Sequence, residues 1–175
     1  MKLSGPVVIT GFMGCGKSGV ARELARRLQV SMVDLDEKIT QREGRTPAQL
    51  IVDNGEPAFR AIESDVLGEL LKERPISVIA LGGGAWIDEA NRALIQQYGC
   101  RSVWLDAPFE LCWSRITASG DDRPLGKTRA QAQTLYDARR TTYQLASIHV
   151  KVLAGESLAV LAARIQTKLA TGLQD

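Results

Sequence analysis

Gly11-Phe12-Met13-Gly14-Cys15-Gly16-Lys17-Ser18 is the stretch on which the reading of this chain turns. It fits the spacing G-x-x-x-x-G-K-[ST], and its flanks are the ones that pattern needs. Pro6-Val7-Val8-Ile9-Thr10 before it reads as a short buried strand, and residues 20–28 after it carry apolar side chains at helical spacing. Glycines let such a loop turn sharply, so that successive N–H groups point inward at a polyphosphate. The helix N-terminus adds its partial positive charge below. Lys17 is then within reach of the β- and γ-phosphates, and Ser18 can offer its hydroxyl to Mg²⁺. A nucleoside triphosphate is the expected ligand. Cys15, inside the loop, reads as a small filler and not as a nucleophile.

The rest of the composition narrows the class. The 175 residues suit a single domain, 1–175, and hydrophobic and charged fractions of 45% and 24% exclude a largely disordered chain. A formal net charge of +2, without any basic run, gives no reason to expect nucleic acid or a membrane surface as partner. No apolar stretch approaches membrane-spanning length and no signal-peptide core precedes the first strand, so the cytoplasm is the expected compartment. Cys15, Cys100 and Cys112 are odd in number and lack metal-ligand spacing, which suits a reducing environment. The single histidine, His149, follows an apolar residue in a late strand. It is expected to be packed or half-exposed, and histidine base catalysis is not expected.

Strands are expected at 6–10, 30–36, 77–81, 102–105 and 148–153, alternating with helices at 20–28, 37–42, 47–52, 58–71, 87–98, 109–117, 129–145 and 158–169. Thr46-Pro47 has the form of an N-cap followed by proline at the first helical position, and Pro75 marks a helix end. Residues 118–127 are polar, contain Gly120, Pro124 and Gly126, and read as a mobile lid. Five strands alternating with helices define an α/β fold with three layers (α/β/α) and a five-stranded parallel sheet, of the P-loop NTPase type. Ligands on such sheets gather at the carboxyl ends of the strands. That rule brings Gly11 to Ser18, Asp34, Asp36, Gly82 to Gly84 and Asp106 together.

Asp34 and Asp36 alternate along the second expected strand and so point the same way. One can orient Mg²⁺, and the other can hold or deprotonate the hydroxyl that attacks the γ-phosphate. Asp106 reads as a cap on the following helix. Gly82-Gly83-Gly84 would weaken any regular element, which points to close approach of a ligand to the backbone. Arg60 and Glu63, three apart on a helix, can meet, leaving Arg60 oriented to grip an anion. Arg123 lies within the lid and Arg115 just before it; a lid arginine can swing over the γ-phosphate, or serve solubility alone. Of Arg139 and Arg140, one is expected to face the site and the other water.

The elements G-F-M-G-x-G-K-S, D-x-D, F-R-x-x-E, G-G-G, R-P-L and the R-x-x-x-Y of Arg139 to Tyr143, in this order, resemble the shikimate kinases. The resemblance runs from the first strand to about Tyr143. It implies a monomeric P-loop kinase, of the nucleoside-monophosphate-kinase type, that moves the γ-phosphate of ATP to the 3-hydroxyl of shikimate on the route to chorismate. It also implies roles. Asp36, Arg60, Glu63, Gly82, Gly83, Gly84 and Arg139 would bind shikimate, with Arg60 and Arg139 on its carboxylate and Asp36 at the reacting hydroxyl. Gly11, Met13, Gly14, Cys15, Gly16, Lys17, Ser18, Gly19, Arg115 and Arg123 would bind ATP, Ser18 and Asp34 would face Mg²⁺, and Lys17 and Arg123 would meet transition-state charge. Gly19 stands where the family usually has threonine, Gly126 where a second leucine is usual, and Thr141-Thr142 where Pro-Leu is usual; Asp121-Asp122 makes the lid less basic. Competing readings are a gluconate kinase on the same fold, a non-catalytic nucleotide-binding module, and a GTPase-type switch. The last needs an Asn/Thr-Lys-x-Asp motif, which the sequence lacks.

Overall fold

In the computed structural model, which describes residues 5–73, 77–119 and 128–171, every strand lies parallel to its neighbours. β1 (Val7–Thr10) is central, with β3 (Ser77–Ala80) on one side and β4 (Arg101–Asp106) on the other; β2 (Ser31–Asp34) and β5 (Ile148–Lys151) form the edges, in the order β2-β3-β1-β4-β5. Val7, Val8, Ile9, Val78 and Ile79 are wholly buried, as continuous apolar runs must be when helices cover both faces of a sheet. α1 (Lys17–Leu28) packs beside α8 (Leu158–Thr171) on one face. The remaining helices are α2 (Leu35–Glu43), α3 (Pro47–Asn54), α4 (Glu56–Lys72), α5 (Glu89–Gln97), α6 (Phe109–Ser119) and α7 (Arg129–Tyr143). Among the described residues no helix is long and apolar enough to cross a membrane.

The parallel register sets the strand ends side by side. Ile9 and Asp34 both align with Ala80, and Thr10 aligns with Trp104. The loop after β1 therefore sits between the segments leaving β3 and β4, which is the crevice where such sheets bind ligands. Local chemistry explains most helix starts. Thr46 and Gln49 form a reciprocal capping box with Pro47 at the first turn, and Thr128 and Gln131 form another at the head of α7.

Some expectations need correction. The second strand stops at Asp34, because that carboxylate accepts from the backbone N–H of Asp36 (3.0 Å) and Glu37 (3.5 Å) and so caps α2. Asp34 and Asp36 are thus a cap and a first-turn residue, not alternate strand positions. α5 begins only at Glu89, where the Asp88 side chain accepts from Ala90 N–H at 2.8 Å. α6 runs through Ser119, so 118 and 119 belong to a helix; the rest of the proposed lid, including Arg123, lies outside the described residues, as does Pro75.

α4 carries Arg60 and Glu63, and its inner face is anchored by Leu67, which is fully buried. Leu67→Ala should lower the unfolding free energy by about 2–5 kcal/mol in urea titration, with the denaturant slope unchanged. A loss below about 1 kcal/mol would show that α4 is not held by this contact.

Candidate active site

The loop between β1 and α1 is built as a cradle. Gly14 has φ 77°, and a side-chain carbon there would lie 2.5 Å from the carbonyl oxygen of Cys112, so only glycine fits between the loop and α6. The Arg115 guanidinium, from α6, donates to the carbonyls of Gly14 (3.3 Å) and Cys15 (3.2 Å). Lys17 Nζ donates to the carbonyls of Gly11 (2.9 Å) and Phe12 (3.1 Å), which curls its ammonium back over the loop. The first turn of α1 holds no acidic residue, so nothing there opposes an anion at the helix N-terminus. Cys15 is buried, and burial pushes its thiol above the ordinary range, which fits a packing role. Gly19 would bring a side-chain carbon to 3.1 Å from Leu158; the leucine fills the space beside it.

Ser18 and Asp34 meet across the mouth of this cradle. The Ser18 hydroxyl donates to Asp34 Oδ2 at 2.5 Å. Met13, Gly14, Gly16, Lys17, Ser18, Asp34, Asp36, Leu81 and Gly83 line a single cleft. The sequence placed all but Leu81 at the site.

Gly82, Gly83 and Gly84 leave β3 and run alongside the loop. A side-chain carbon on Gly83 would stand 3.6 Å from the Met13 nitrogen, which measures how closely the two segments approach. On Gly82 it would lie 2.8 Å from both Asp36 Oδ1 and Glu63 Oε1, and on Gly84 it would overlap the Arg60 guanidinium. The glycines were expected to admit a ligand; their first use is to admit the chain's own charged side chains.

Arg60 is held by two carboxylates. Its Nη1 donates to Glu63 at 2.6 Å, and its Nε and Nη2 donate to Glu56 at 3.2 and 3.0 Å. Glu63 was expected; Glu56, missed at the sequence level, stands at i−4 from Arg60, a spacing that signals the pair. The Glu63 side chain is only 1% exposed. Burial pushes its carboxyl above the usual range, Arg60 works against that rise, and Asp36 adds to it. On the other side, Arg139 Nη1 donates to the Gly83 carbonyl at 3.3 Å and the Tyr143 hydroxyl donates to the same oxygen at 2.6 Å. Arg140 is half exposed yet engaged: it donates to the Asp106 carboxylate and to the Tyr136 hydroxyl, so Asp106 serves an ion pair rather than the cap expected of it. His149 packs edge-on to Trp104 and bonds to backbone carbonyls of Gln144 and Ala146.

A glycine-rich phosphate loop between the central strand of a parallel sheet and its helix, facing a second set of arginines and carboxylates, has the form of a P-loop kinase. The shikimate kinase family model matches residues 13–170. A shikimate kinase of Cereibacter sphaeroides is 39% identical over 173 residues, 97% of this chain and 85% of that protein. The structure of Acinetobacter baumannii shikimate kinase in complex with shikimate superposes with a TM-score of 0.86 at 28% identity, covering 98% of this chain and 96% of that one. A gluconokinase from Sinorhizobium meliloti shares the fold, with a TM-score of 0.63 at 17% identity. The chain belongs to the shikimate kinase family and is an ATP-dependent kinase.

Gly84→Ala tests the acceptor side. Its methyl group must displace the Arg60 guanidinium, the nearest group to it. The expected result is a KM for shikimate raised by about tenfold or more, a factor of ten being 1.4 kcal/mol, with KM for ATP unchanged. An unaltered KM for shikimate would show that Arg60 does not meet the acceptor.

Proposed function

We propose that phosphoryl transfer from ATP to the 3-hydroxyl of shikimate is carried out here by the residues gathered around Gly82–84 and the phosphate loop. The observation that supports this most is the position of the glycine segment. It passes close beside the phosphate loop at Met13 and has Asp36, Arg60 and Arg139 against its own backbone. A carboxylate laid between Arg60 and Arg139 would receive charge-assisted hydrogen bonds from two planar donors. Three of Arg60's five N–H groups are committed to Glu56 and Glu63, which fixes the plane of the guanidinium and leaves two for the acceptor. An acceptor so placed turns a hydroxyl toward Asp36, whose carboxylate holds it and takes its proton as the phosphorus–oxygen bond forms.

On the nucleotide side, backbone N–H groups of Gly14, Cys15, Gly16, Lys17 and Ser18 would bind the phosphate oxygens. Lys17 swings from the Gly11 and Phe12 carbonyls to the transferring group and stabilises the charge that builds there. Arg123 is assigned the same task and Arg115 the adenine side, both from the family resemblance. The Ser18 hydroxyl and Asp34 carboxylate, already in contact, are hard oxygen donors suited to Mg²⁺, an ion that takes few protein ligands and keeps water and phosphate oxygens. When bound, that ion neutralises charge on the phosphate oxygens. The chain is taken to work as a single domain and a monomer.

Lys17→Ala should remain folded and lose well over tenfold in kcat, more than about 1.4 kcal/mol of transition-state stabilisation. A folded variant that keeps more than about a tenth of the parent kcat would remove Lys17 from the reaction.

A further inference from the structure

Helix α7 offers two pairs of side chains, each pair four residues apart, to two different strand ends. Arg139 and Tyr143 share one face, and both donate to the carbonyl of Gly83 beyond β3. Tyr136 and Arg140 share the adjoining face and reach the end of β4. The Tyr136 hydroxyl donates to the Ala107 carbonyl at 2.9 Å and accepts from Arg140 Nη1 at 2.8 Å. Arg140 Nη2 donates to Asp106 at 3.2 Å, and its guanidinium carbon lies 5.5 Å from the Trp104 ring centre and 5.9 Å from that of Tyr136. Trp104 in turn stacks on Tyr143, with ring centres 6.3 Å apart and 20° between planes.

We propose that Arg140, through Asp106 and Tyr136, is a positioning residue that sets the aim of Arg139 at the acceptor. The proposal rests on the assignment of Arg139 to the acceptor carboxylate. A helix held along one face can still roll about its axis. A roll of about 10° carries a group roughly 7 Å from the axis through about 1 Å, an error large enough to spoil a charge-assisted contact. The Gly83 bonds restrain α7 at one strand end, and the Arg140 contacts restrain it at the other, around the axis from the first. One planar guanidinium serves a carboxylate, a hydroxyl and an aromatic face together, which a lysine ammonium cannot do. The pair is not placed to add much stability. The Arg140 side chain is 43% exposed and that of Asp106 14%, and an ion pair that opens to solvent on its cationic side contributes little to folding. Its effect belongs in substrate recognition.

The test measures KM for shikimate at saturating ATP, with kcat, KM for ATP and the thermal midpoint, in the full chain. The variants are Arg140→Ala, Arg140→Lys, Asp106→Asn, Arg139→Ala and the Arg139→Ala/Arg140→Ala double variant. Arg140→Ala and Asp106→Asn should raise KM for shikimate about three- to tenfold, up to 1.4 kcal/mol, leaving kcat and KM for ATP within about twofold; lysine should restore part of the loss. Because Arg140 acts through Arg139, the double variant should be no worse than Arg139→Ala. Additive losses, or a lowered midpoint with normal KM, would mark a structural role and overturn the proposal. A normal KM in Asp106→Asn, which keeps the side-chain volume, overturns it whatever the alanine variant does. A normal KM in Arg139→Ala alone removes the carboxylate clamp itself, and this proposal with it.

Discussion

The contact of charged side chains with bare backbone at Gly82–84 governs the arrangement of the site. Asp36 and Glu63 lie against Gly82, Arg139 reaches Gly83, and Arg60 lies on Gly84. No side chain larger than hydrogen leaves room for carboxylates at Gly82 or a guanidinium at Gly84. The constraint also has an electrostatic side. Glu63 is an almost wholly buried carboxylate, a costly thing to place in a protein interior unless a cation pairs with it. Arg60 supplies that cation at 2.6 Å and is fixed in turn. Removing Arg60 would strand the buried Glu63 carboxylate, whereas Arg60 without Glu63 would keep Glu56, so the pairing scaffolds this corner of the cleft.

The sheet supplies the second half of the geometry. Because β1 lies between β3 and β4, the phosphate loop is flanked by the glycine segment on one side and by the Asp106–Ala107 turn on the other. α6 grips the loop through Arg115, and α7 spans both flanks through Arg139, Tyr143, Tyr136 and Arg140. Short side-chain contacts therefore tie the phosphate loop and both flanking segments to α6 and α7. Such preorganisation is what phosphoryl transfer asks of a protein, since the chemistry itself requires mainly position and charge.

Much of this was legible in the sequence because its signals are local. The phosphate loop declares itself through spacing and flanking periodicity, Thr46-Pro47 through capping, and Arg60–Glu63 through helical neighbourhood. What escaped was set by tertiary contact or by competition between local options. Asp34 and Asp36 looked like strand neighbours, yet Asp34 found a better partner in the N–H groups of α2. Asp106 looked like a cap, and Arg140 like a solvated neighbour of Arg139. Each finds the other across 34 residues, a distance at which no local pattern reports. Glu56 stands at i−4 from Arg60, a spacing readable in the sequence, but such pairs are common on solvated helix faces and the spacing alone does not single it out.

On the reading proposed above, this cleft holds a cyclic polyol acid by its carboxylate and phosphorylates its hydroxyl, and does not merely hydrolyse or store nucleotide. The most direct measurement is ADP release by the purified chain with ATP and Mg²⁺, in parallel with shikimate, with gluconate and with no acceptor, the products being checked by phosphorus NMR. If that reading holds, ADP release is rapid with shikimate alone, matched mole for mole by a phosphate ester at its 3-hydroxyl. Equal release with gluconate, or release that does not depend on an acceptor, would contradict it.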